Sequence, residues 1–338
     1  MAKTAIVILN YNGAQFLEQF LPSVIQYSKE AEVILVDNAS TDESLLFLRK
    51  NYPALRVIVF EENLGYTGGY NEAINKLDYE YCILLNSDIE VTPNWIVPII
   101  NFMDEHPAVA ACQPKVLDFN QKQYFEYAGA AGGYLDFMGF PYCRGRIFET
   151  LEEDQNQYNT IQKVDWATGA CLFVRTADFK AAGGFDTDFF AHMEEIDLCW
   201  RFRSMGKSLY CIPDSTVYHV GGGTLNKINP RKTYLNFRNN LSLLCKNERV
   251  ISLFWKLPFK LTLDWAAALK FGMDQSWNHS WAICKAHLDF ILLLPKNIRK
   301  RRIIRKHAVN KVRNSPFLLP YQYFVKGRKT FDNLHQNK

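Results

Sequence analysis

Four apolar runs, each ending in a short polar loop and followed by a helical or turn-forming stretch, constrain this chain more than any other feature. TAIVILNYN (4–12) reads as a buried strand running into a loop. Residues 14–29 then space Phe16, Leu17, Phe20, Leu21, Val24 and Ile25 at helical intervals. EVILVDNAS (32–40), RVIVFEEN (56–63) and YCILLNSDIEV (81–91) repeat the strand-into-loop pattern, the last two separated by a helical stretch around GGYNEAINKL (68–77). Strands alternating with helices predict right-handed crossovers and an α/β fold on a mostly parallel sheet flanked by helices. Ligands of such sheets gather beyond the carboxyl ends of the strands. Asn10–Asn12, Asp37–Ser40, Asn63–Gly69 and Asn86–Asp88 occupy those ends, so the four loops are expected to line one crevice.

Residues 118–163 are rich in Gly, Tyr, Phe and Gln with little periodicity, and read as an excursion over the crevice rather than a separate domain. Order returns at VDWATGACLFVRTADF (164–179), a strand, a turn and a short helix. GGFDTDFF (183–190), a helical EEIDLCWRFRSMG (194–206), a strand SLYCIPDSTVYHV (208–220) and a flexible GGGT (221–224) follow. Beyond about residue 230 the chain reads as helical and aromatic, and no internal repeat is evident. With 338 residues and 48% hydrophobic content there is material for a large domain plus a smaller appendage.

Asp37 is held at a strand end, where its carboxylate either accepts hydrogen bonds from a base or ribose or caps the segment that starts near Thr41. NLGYTGGYN (63–71) offers glycines for close backbone approach, without the G-x-G-x-x-G spacing of a dinucleotide fold. Asp88 supplies a hard oxygen ligand suited to a divalent cation that bridges two phosphates, unless it is simply a turn residue. Glu194, Glu195 and Asp197 crowd three acids after the aromatic FFAHM. They are either a helix start stabilised by the macrodipole or carboxyls whose pKa is raised for base work.

In order along the chain, VILNYNG, VDNASTD, ENLGYTGGYNEAI, LLNSDIEV, WATGACLFVR, GGFDTDFF, EEIDLCWR and the His219 segment resemble glycosyltransferase family 2, GT-A type, over roughly residues 3–250. The subgroup most similar is that of the rhamnosyltransferase-like enzymes of bacterial surface polysaccharides. The resemblance implies a GT-A catalytic domain over 1–250, with a nucleotide-sugar half (about 1–117) and an acceptor half (about 118–250), and a helical C-terminal region over 251–338. It implies that Asp37 contacts the nucleoside, that Tyr11 flanks the base, and that Leu9, Asn86 and Ser87 belong to the same nucleotide-sugar set. Asn63, Gly65 and Asn71 shape the loop near ribose and diphosphate. Asp88 matches the final acid of the family's D-x-D motif, whose first acid is Asn86 here, so one carboxylate holds a divalent metal, Mn2+ or Mg2+. His219 matches the family histidine that completes the coordination in some members.

The resemblance also implies that Glu195 is the general base, with Glu194 and Asp197 the next candidates. Asp197 alternatively orients Arg201, four residues on. Trp166, Gly169 and Ala170 form an acceptor-side wall, or Trp166 is a core tryptophan. Transfer then proceeds with inversion from a nucleoside-diphosphate sugar, dTDP-rhamnose or a UDP-sugar, to a hydroxyl of a polysaccharide or lipid-linked glycan. A sugar nucleotidyltransferase would open with a basic glycine-rich loop, which VILNYNGAQF lacks. A non-catalytic sugar-nucleotide-binding subunit is favoured only by Asn86 in place of an acid.

The eight cysteines are scattered, with no C-x-x-C pair, which suits a reducing cytosol. Residues 285–338 hold fourteen Lys/Arg against two Asp/Glu, an excess of about twelve positive charges that the overall net charge of +4 conceals. Residues 250–295 carry Trp255, Trp265, Trp277 and Trp281 among leucines and phenylalanines, interrupted by Lys256, Pro258, Lys260 and Asp264. No run reaches the roughly 18–20 apolar residues that span a bilayer. Trp- and Phe-bearing helices followed by KNIRKRRIIRKH predict a cytoplasmic protein peripheral on an anionic membrane surface. The alternative is packing on the catalytic domain or a homodimer contact, and no nucleic-acid-reading motif is present.

Overall fold

A computed structural model describes residues 3–221, 229–274 and 276–335, so Gly222–Thr224 of the GGGT stretch lie outside the described residues. The first four strands, β1 (Thr4–Asn10), β2 (Glu32–Asp37), β3 (Arg56–Val59) and β4 (Tyr81–Asn86), are parallel in the order β4-β1-β2-β3. They are joined by α1 (Ala14–Tyr27), α2 (Ser44–Asn51) and α3 (Gly65–Asn75). The sheet continues through β6 (Val109–Asp118), which follows β5 (Ile89–Val91) and α4 (Val97–Glu105) in the chain. Beyond β4 lies β12 (Cys171–Arg175), antiparallel to both β4 and β6, then β13 (Ser208–His219), parallel to β6. Six of the nine strands therefore run one way, as the alternation of strand and helix requires.

Strand periodicity explains the burial. Ala5 and Val7 face the side covered by Tyr70, Ala73 and Ile74 of α3, whereas Ile6 and Ile8 face Leu17, Leu21 and Val24 of α1. A parallel sheet covered on both faces reads as an uninterrupted apolar run, which is how these strands appear in the sequence. Glycine sets one approach distance. A Cβ on Gly69 would lie 2.7 Å from Leu9, so only a bare backbone lets α3 settle this close to β1.

The aperiodic excursion has more order than its sequence shows. Its core is a four-stranded antiparallel sheet of β7 (Gly133–Leu135), β8 (Pro141–Cys143), β9 (Arg146–Ile147) and β10 (Thr150–Leu151), and β11 (Gln162–Lys163) joins the edge of the large sheet. Strands of two or three residues are too short for alternation to register. Its acidic turn is built around Asp136, which accepts from the backbone N–H of Met138, Phe140 and Leu319; burial raises this carboxyl to about 7.

After α5 (Thr176–Ala181) and α6 (Glu194–Ser204) come α7 (Pro230–Asn247), α8 (Val250–Asp274) and α9 (Trp277–His307), with α10 (Phe331–His335) at the end. The α9 cations expected to face an anionic surface are partly turned inward. Lys300 pairs with Asp186 and Asp188, Arg301 donates to the Cys245 carbonyl, and Arg305 donates to the carbonyls of Asn247 and Glu248. Among the described residues no helix is long and apolar enough to cross a membrane. Seven of the eight cysteines are buried and all are unpaired; burial pushes the Cys143 and Cys211 thiols up to about 11.

The end of the chain closes over the small sheet. Leu319 and Leu334 join Tyr142 and Ile147 in one buried cluster, Ser315 N donates to the Leu135 carbonyl, and Phe331 N donates to Glu152. We expect Leu319→Ala to cost about 2–5 kcal/mol, the usual range for a buried leucine truncation. Urea unfolding of the full chain checks this, and an unchanged midpoint would mean that residues 313–335 are not part of the core.

Candidate active site

The strand-end loops meet as expected, and their own side chains knit the first three together. Asn10 Nδ2 donates to Asp37 Oδ1 (3.2 Å) and Ser40 Oγ (3.1 Å), and Thr41 N donates to Asn12 Oδ1 (2.7 Å). Asn38 Nδ2 donates to Asn63 Oδ1 (2.9 Å) and its Oδ1 accepts from Leu64 N (2.9 Å). Gly65 has φ +69° and its Cα faces the Phe190 ring, where a Cβ would lie 2.9 Å away. The 63–69 loop is thereby seated against the loop that precedes α6.

Asp37, assigned to nucleotide contact, is 0% exposed, with Asn10 on one carboxylate oxygen and Ser40 N on the other, so it ties the crevice floor together. It does not cap α2. Asp42 does, accepting from Ser44 N and Ala14 N. Asn71 exchanges two hydrogen bonds of 2.8 Å with the backbone of Phe185, which fixes the GGF turn and leaves one N–H and one oxygen lone pair of its amide for other partners. Tyr11 is 44% exposed at the rim, Asn63 is exposed, and Leu9, Asn86 and Ser87 are partly exposed.

Asp88 and His219 come together where β5 pairs with β13. His219 Nε2 lies 3.2 Å from Asp88 Oδ1, and its Nδ1 lies 3.3 Å from Glu126 Oε1. Burial alone would lower the imidazole pKa, but Glu126 and Asp88 outweigh it and push it up to about 10. Glu126 belongs to the aperiodic excursion, and no pattern in the sequence points to it. Two ligands of one cation lie about this far apart, and Mg2+ or Mn2+ is commonly held by one or two protein groups with phosphate oxygens and water completing the shell. Among the described residues no three His, Cys, Asp or Glu side chains form a complete cage. Asp88, with His219 once its Nε2 proton is displaced, would therefore fit a cation that depends on its nucleotide for the remaining ligands.

The acidic cluster opens α6. Asp197 is fully buried and accepts from Arg201 Nε (2.9 Å), as its spacing predicts, and also from Asn247 and from Lys246 Nζ (2.9 Å). Both of its carboxylate oxygens are thus engaged by donors of the protein itself. Glu194 and Glu195 differ: each keeps a buried Oε2 without a hydrogen-bond partner, as does Nε2 of nearby His192. Burial lifts both carboxyls above the ordinary range, Glu195 to about 7, with the Glu195 charge raising Glu194 further. Buried polar atoms without partners are uncommon, and each asks for an explanation. Glu195 is the less deeply buried member of the pair.

The acceptor-side residues divide. Trp166 is buried and its indole N–H donates to the Tyr134 carbonyl (2.9 Å), so it is the core tryptophan of the two alternatives. Gly169 and Ala170 instead link the two halves of the site. The Gly169 carbonyl accepts from Tyr66 OH (2.7 Å), the Ala170 carbonyl accepts from Asn86 N (2.9 Å), and the Gly169 backbone abuts Glu195.

The loop ahead of α6 holds Phe190, His192 and Met193 at φ +62°, +66° and +71°, a backbone region non-glycine residues seldom enter. Asn239 of α7 holds this loop by donating to the carbonyls of Phe189, Ala191 and His192 at 3.1, 2.9 and 2.7 Å. Sequence reasoning passed over Asn239.

The Glycosyl transferase family 2 model matches residues 5–178. The N-acetylglucosaminyl-diphospho-decaprenol L-rhamnosyltransferase of Mycobacterium tuberculosis (strain CDC 1551 / Oshkosh) is 25% identical over 289 residues, covering 78% of this chain and 90% of that protein. Rhamnosyltransferase WbbL of Escherichia coli (strain K12) is 23% identical over 222 residues, 63% of this chain and 82% of WbbL. Among solved structures, S. aureus TarS residues 1–349 superposes with a TM-score of 0.55 at 16% identity, covering 90% of this chain and 86% of that one. GalNAc-T7 with UDP, GalNAc and Mn2+ gives a TM-score of 0.59 at 17% identity, over 87% of this chain and 58% of that one. These structural likenesses establish the GT-A fold.

If Asp88 is the one carboxylate that ties a cation to the nucleotide, Asp88→Asn should remove most of the gain in nucleoside-diphosphate affinity that Mn2+ confers, by about tenfold or more. Calorimetry with UDP and dTDP, with and without Mn2+, checks this. Undiminished metal dependence would move the cation elsewhere.

Proposed function

Because the chain belongs to glycosyltransferase family 2, we propose that this glycosyltransferase works with inversion, with Glu195 as the base that accepts the acceptor hydroxyl proton. The observation that carries this reading is the buried, unpartnered Oε2 of Glu195, on a carboxyl lifted to about 7 in a side chain whose Cβ would lie 3.6 Å from a Cβ on Gly169. A carboxyl with that pKa is ionised for a useful fraction of time near neutrality and still holds a proton firmly enough to drive its transfer. Glu194, more deeply buried, is also raised well above the ordinary carboxyl range, by burial and by the Glu195 charge.

In this reading the donor lies across the strand ends with Tyr11 at the rim of its base, and its diphosphate lies near Asp88 and His219. A divalent cation bound there would neutralise charge that develops on the departing diphosphate. Glu195 takes the proton from the acceptor oxygen as that oxygen attacks the anomeric carbon from the face opposite the leaving group. Asn239 and Asn71 act through the backbone, the first by holding the loop that aims Glu195 and the second by holding the Phe185 turn.

The rhamnosyltransferases of M. tuberculosis and E. coli support a lean toward dTDP-rhamnose as donor and a lipid-linked glycan as acceptor, with a UDP-sugar as the competing donor. A lipid-linked acceptor would place the reaction at a membrane surface. Incubation with a panel of nucleotide sugars, scoring release of nucleoside diphosphate, tests the donor and the activity together.

Glu195→Gln keeps shape and removes basicity, so transfer should fall by about 10²–10⁴-fold while donor affinity persists. For the wild type, transfer at limiting acceptor should rise with pH through about 7 and then level, because the base is blocked by its own proton below that value. Asp197→Asn should instead weaken the pairing of Lys246 and Arg201 and lower stability, by up to the roughly 3–5 kcal/mol typical of a broken buried pair. Rates against pH, donor affinity and melting temperature for the variants separate these effects. Near-normal transfer by Glu195→Gln would reassign the base.

A further inference from the structure

Helix α8 is built inside out. Lys256, Lys260 and Asp264 lie on its buried side, with Lys260 at 2% and Asp264 at 1% exposure. Lys256 pairs with Glu248 and donates to the Phe137 carbonyl, Lys260 pairs with Asp264, and His287 of α9 lies 3.4 Å from Asp264. The residues at the complementary helical spacing, Ile251, Phe254, Trp255, Phe259, Trp265 and Leu269, are exposed, Phe254 at 77%. The three ions that break up this segment in the sequence therefore face the protein. From 251 to 269 the outward face of α8 carries no charge at all.

Helix α9 continues the pattern along one stripe. Trp281 is 68% exposed, and steps of three and four residues lead from it through Lys285, Leu288, Leu292 and Pro295 to Arg299, Arg302 and Lys306, all exposed. The apolar face thus runs into a row of cations, and the sequence contains no Asp or Glu between Asp289 and Asp332. Of the large hydrophobic side chains exposed among the described residues, fifteen of twenty-five lie on these two helices. Such a concentration far exceeds the scattered exposure normal on a soluble surface.

We propose that the outer face of the α8–α9 pair is a membrane-docking surface, whose Trp, Phe and Leu side chains enter the interfacial layer of a bilayer while Arg299, Arg302 and Lys306 meet anionic headgroups. Three observations favour lipid over a protein partner. The face is long and wholly uncharged over five turns of α8, it carries tryptophans suited to the headgroup boundary, and it ends in cations complementary to anionic lipid. Among the described residues no helix is long and apolar enough to cross, so this face would lie in the membrane surface rather than span it. Attraction then comes mainly from apolar burial and only secondarily from charge, because other cations of the basic run, Lys300, Arg301 and Arg305, are engaged by the catalytic domain. The inference gives a surface to the proposed lipid-linked acceptor and rests on that reading for its role.

The test is sedimentation of the full chain with vesicles of phosphatidylcholine alone and with an equal share of phosphatidylglycerol, at low and high salt. Wild type should bind both, tighter with phosphatidylglycerol, and high salt should erase that preference without abolishing binding. The triple variant Phe254→Glu/Trp265→Glu/Leu269→Glu, confirmed folded by circular dichroism, should bind both vesicles at least about tenfold more weakly. Arg299→Glu/Arg302→Glu/Lys306→Glu should lose only the preference for anionic lipid. Wild-type-like sedimentation of the folded apolar-face variant would overturn the proposal. So would a wild-type dimer that ignores vesicles and that the same variant renders monomeric, since the face would then bind a second copy. Donor turnover with a water-soluble acceptor should be unchanged in both variants. Absence of turnover in every protein, with vesicle binding intact, would sink the transferase reading and leave this one standing.

Discussion

Lys246 holds the active half of this molecule in place. It is 1% exposed, pairs with Asp186 in the loop before α6 and with Asp197 inside α6, and lies 4.3 Å from the centre of the Phe189 ring. A lone ammonium so deeply buried would be prohibitively costly, and a lone carboxylate likewise, so each is tolerable only because the others are where they are. Lys300 adds a second cation from α9, and despite its burial Asp186 is held far below the usual carboxylate range by the two lysines. The arrangement ties α7 and α9 to the loop and helix that carry Glu194 and Glu195.

With that frame fixed, the loop from Phe189 to Met193 can be held in a conformation that a free peptide would leave. Non-glycine residues in sparsely populated regions cost on the order of 1–3 kcal/mol each, and they persist where the surroundings over-determine them. Asn239 and Arg238 supply that determination by binding four carbonyls, from Asp188 to His192, so α6 begins at one defined point. The position of the Glu195 carboxyl is thus set by residues some fifty positions along the chain. On the opposite wall, the Gly169 carbonyl accepts from Tyr66 OH and the Ala170 carbonyl from Asn86 N, which ties this turn to the end of β4.

How much of this could be read from sequence follows from the kind of information each feature needs. Strand ends announce themselves, because an apolar run that stops at Asn or Asp is a local pattern, and the four loops converge as expected. Asp197 with Arg201 was legible for the same reason, one turn of helix. The surroundings of Asp37 and the choice between two readings of Trp166 were not, since they depend on partners such as Ser40 and Tyr134 that spacing does not reveal. Glu126 sits in a segment without periodicity, and only the fold brings it to His219. In α7 the buried face carries Asn239, Asn240, Lys246 and Asn247, and in α8 it carries Lys256, Lys260 and Asp264. Composition assigns such residues to solvent, so both helices look the wrong way round until their surroundings are known.

The burial of the cysteines offers an experimental opening. Thiol reagents act on accessible thiolates, and seven of the eight sulfurs are enclosed, several with raised pKa. Cys284, partly exposed on α9 between Trp281 and Leu288, is the exception. The unaltered chain thus carries its own address for a fluorophore or spin label, one turn from the apolar stripe and away from the crevice, where depth and mobility can be read without engineering a new attachment point.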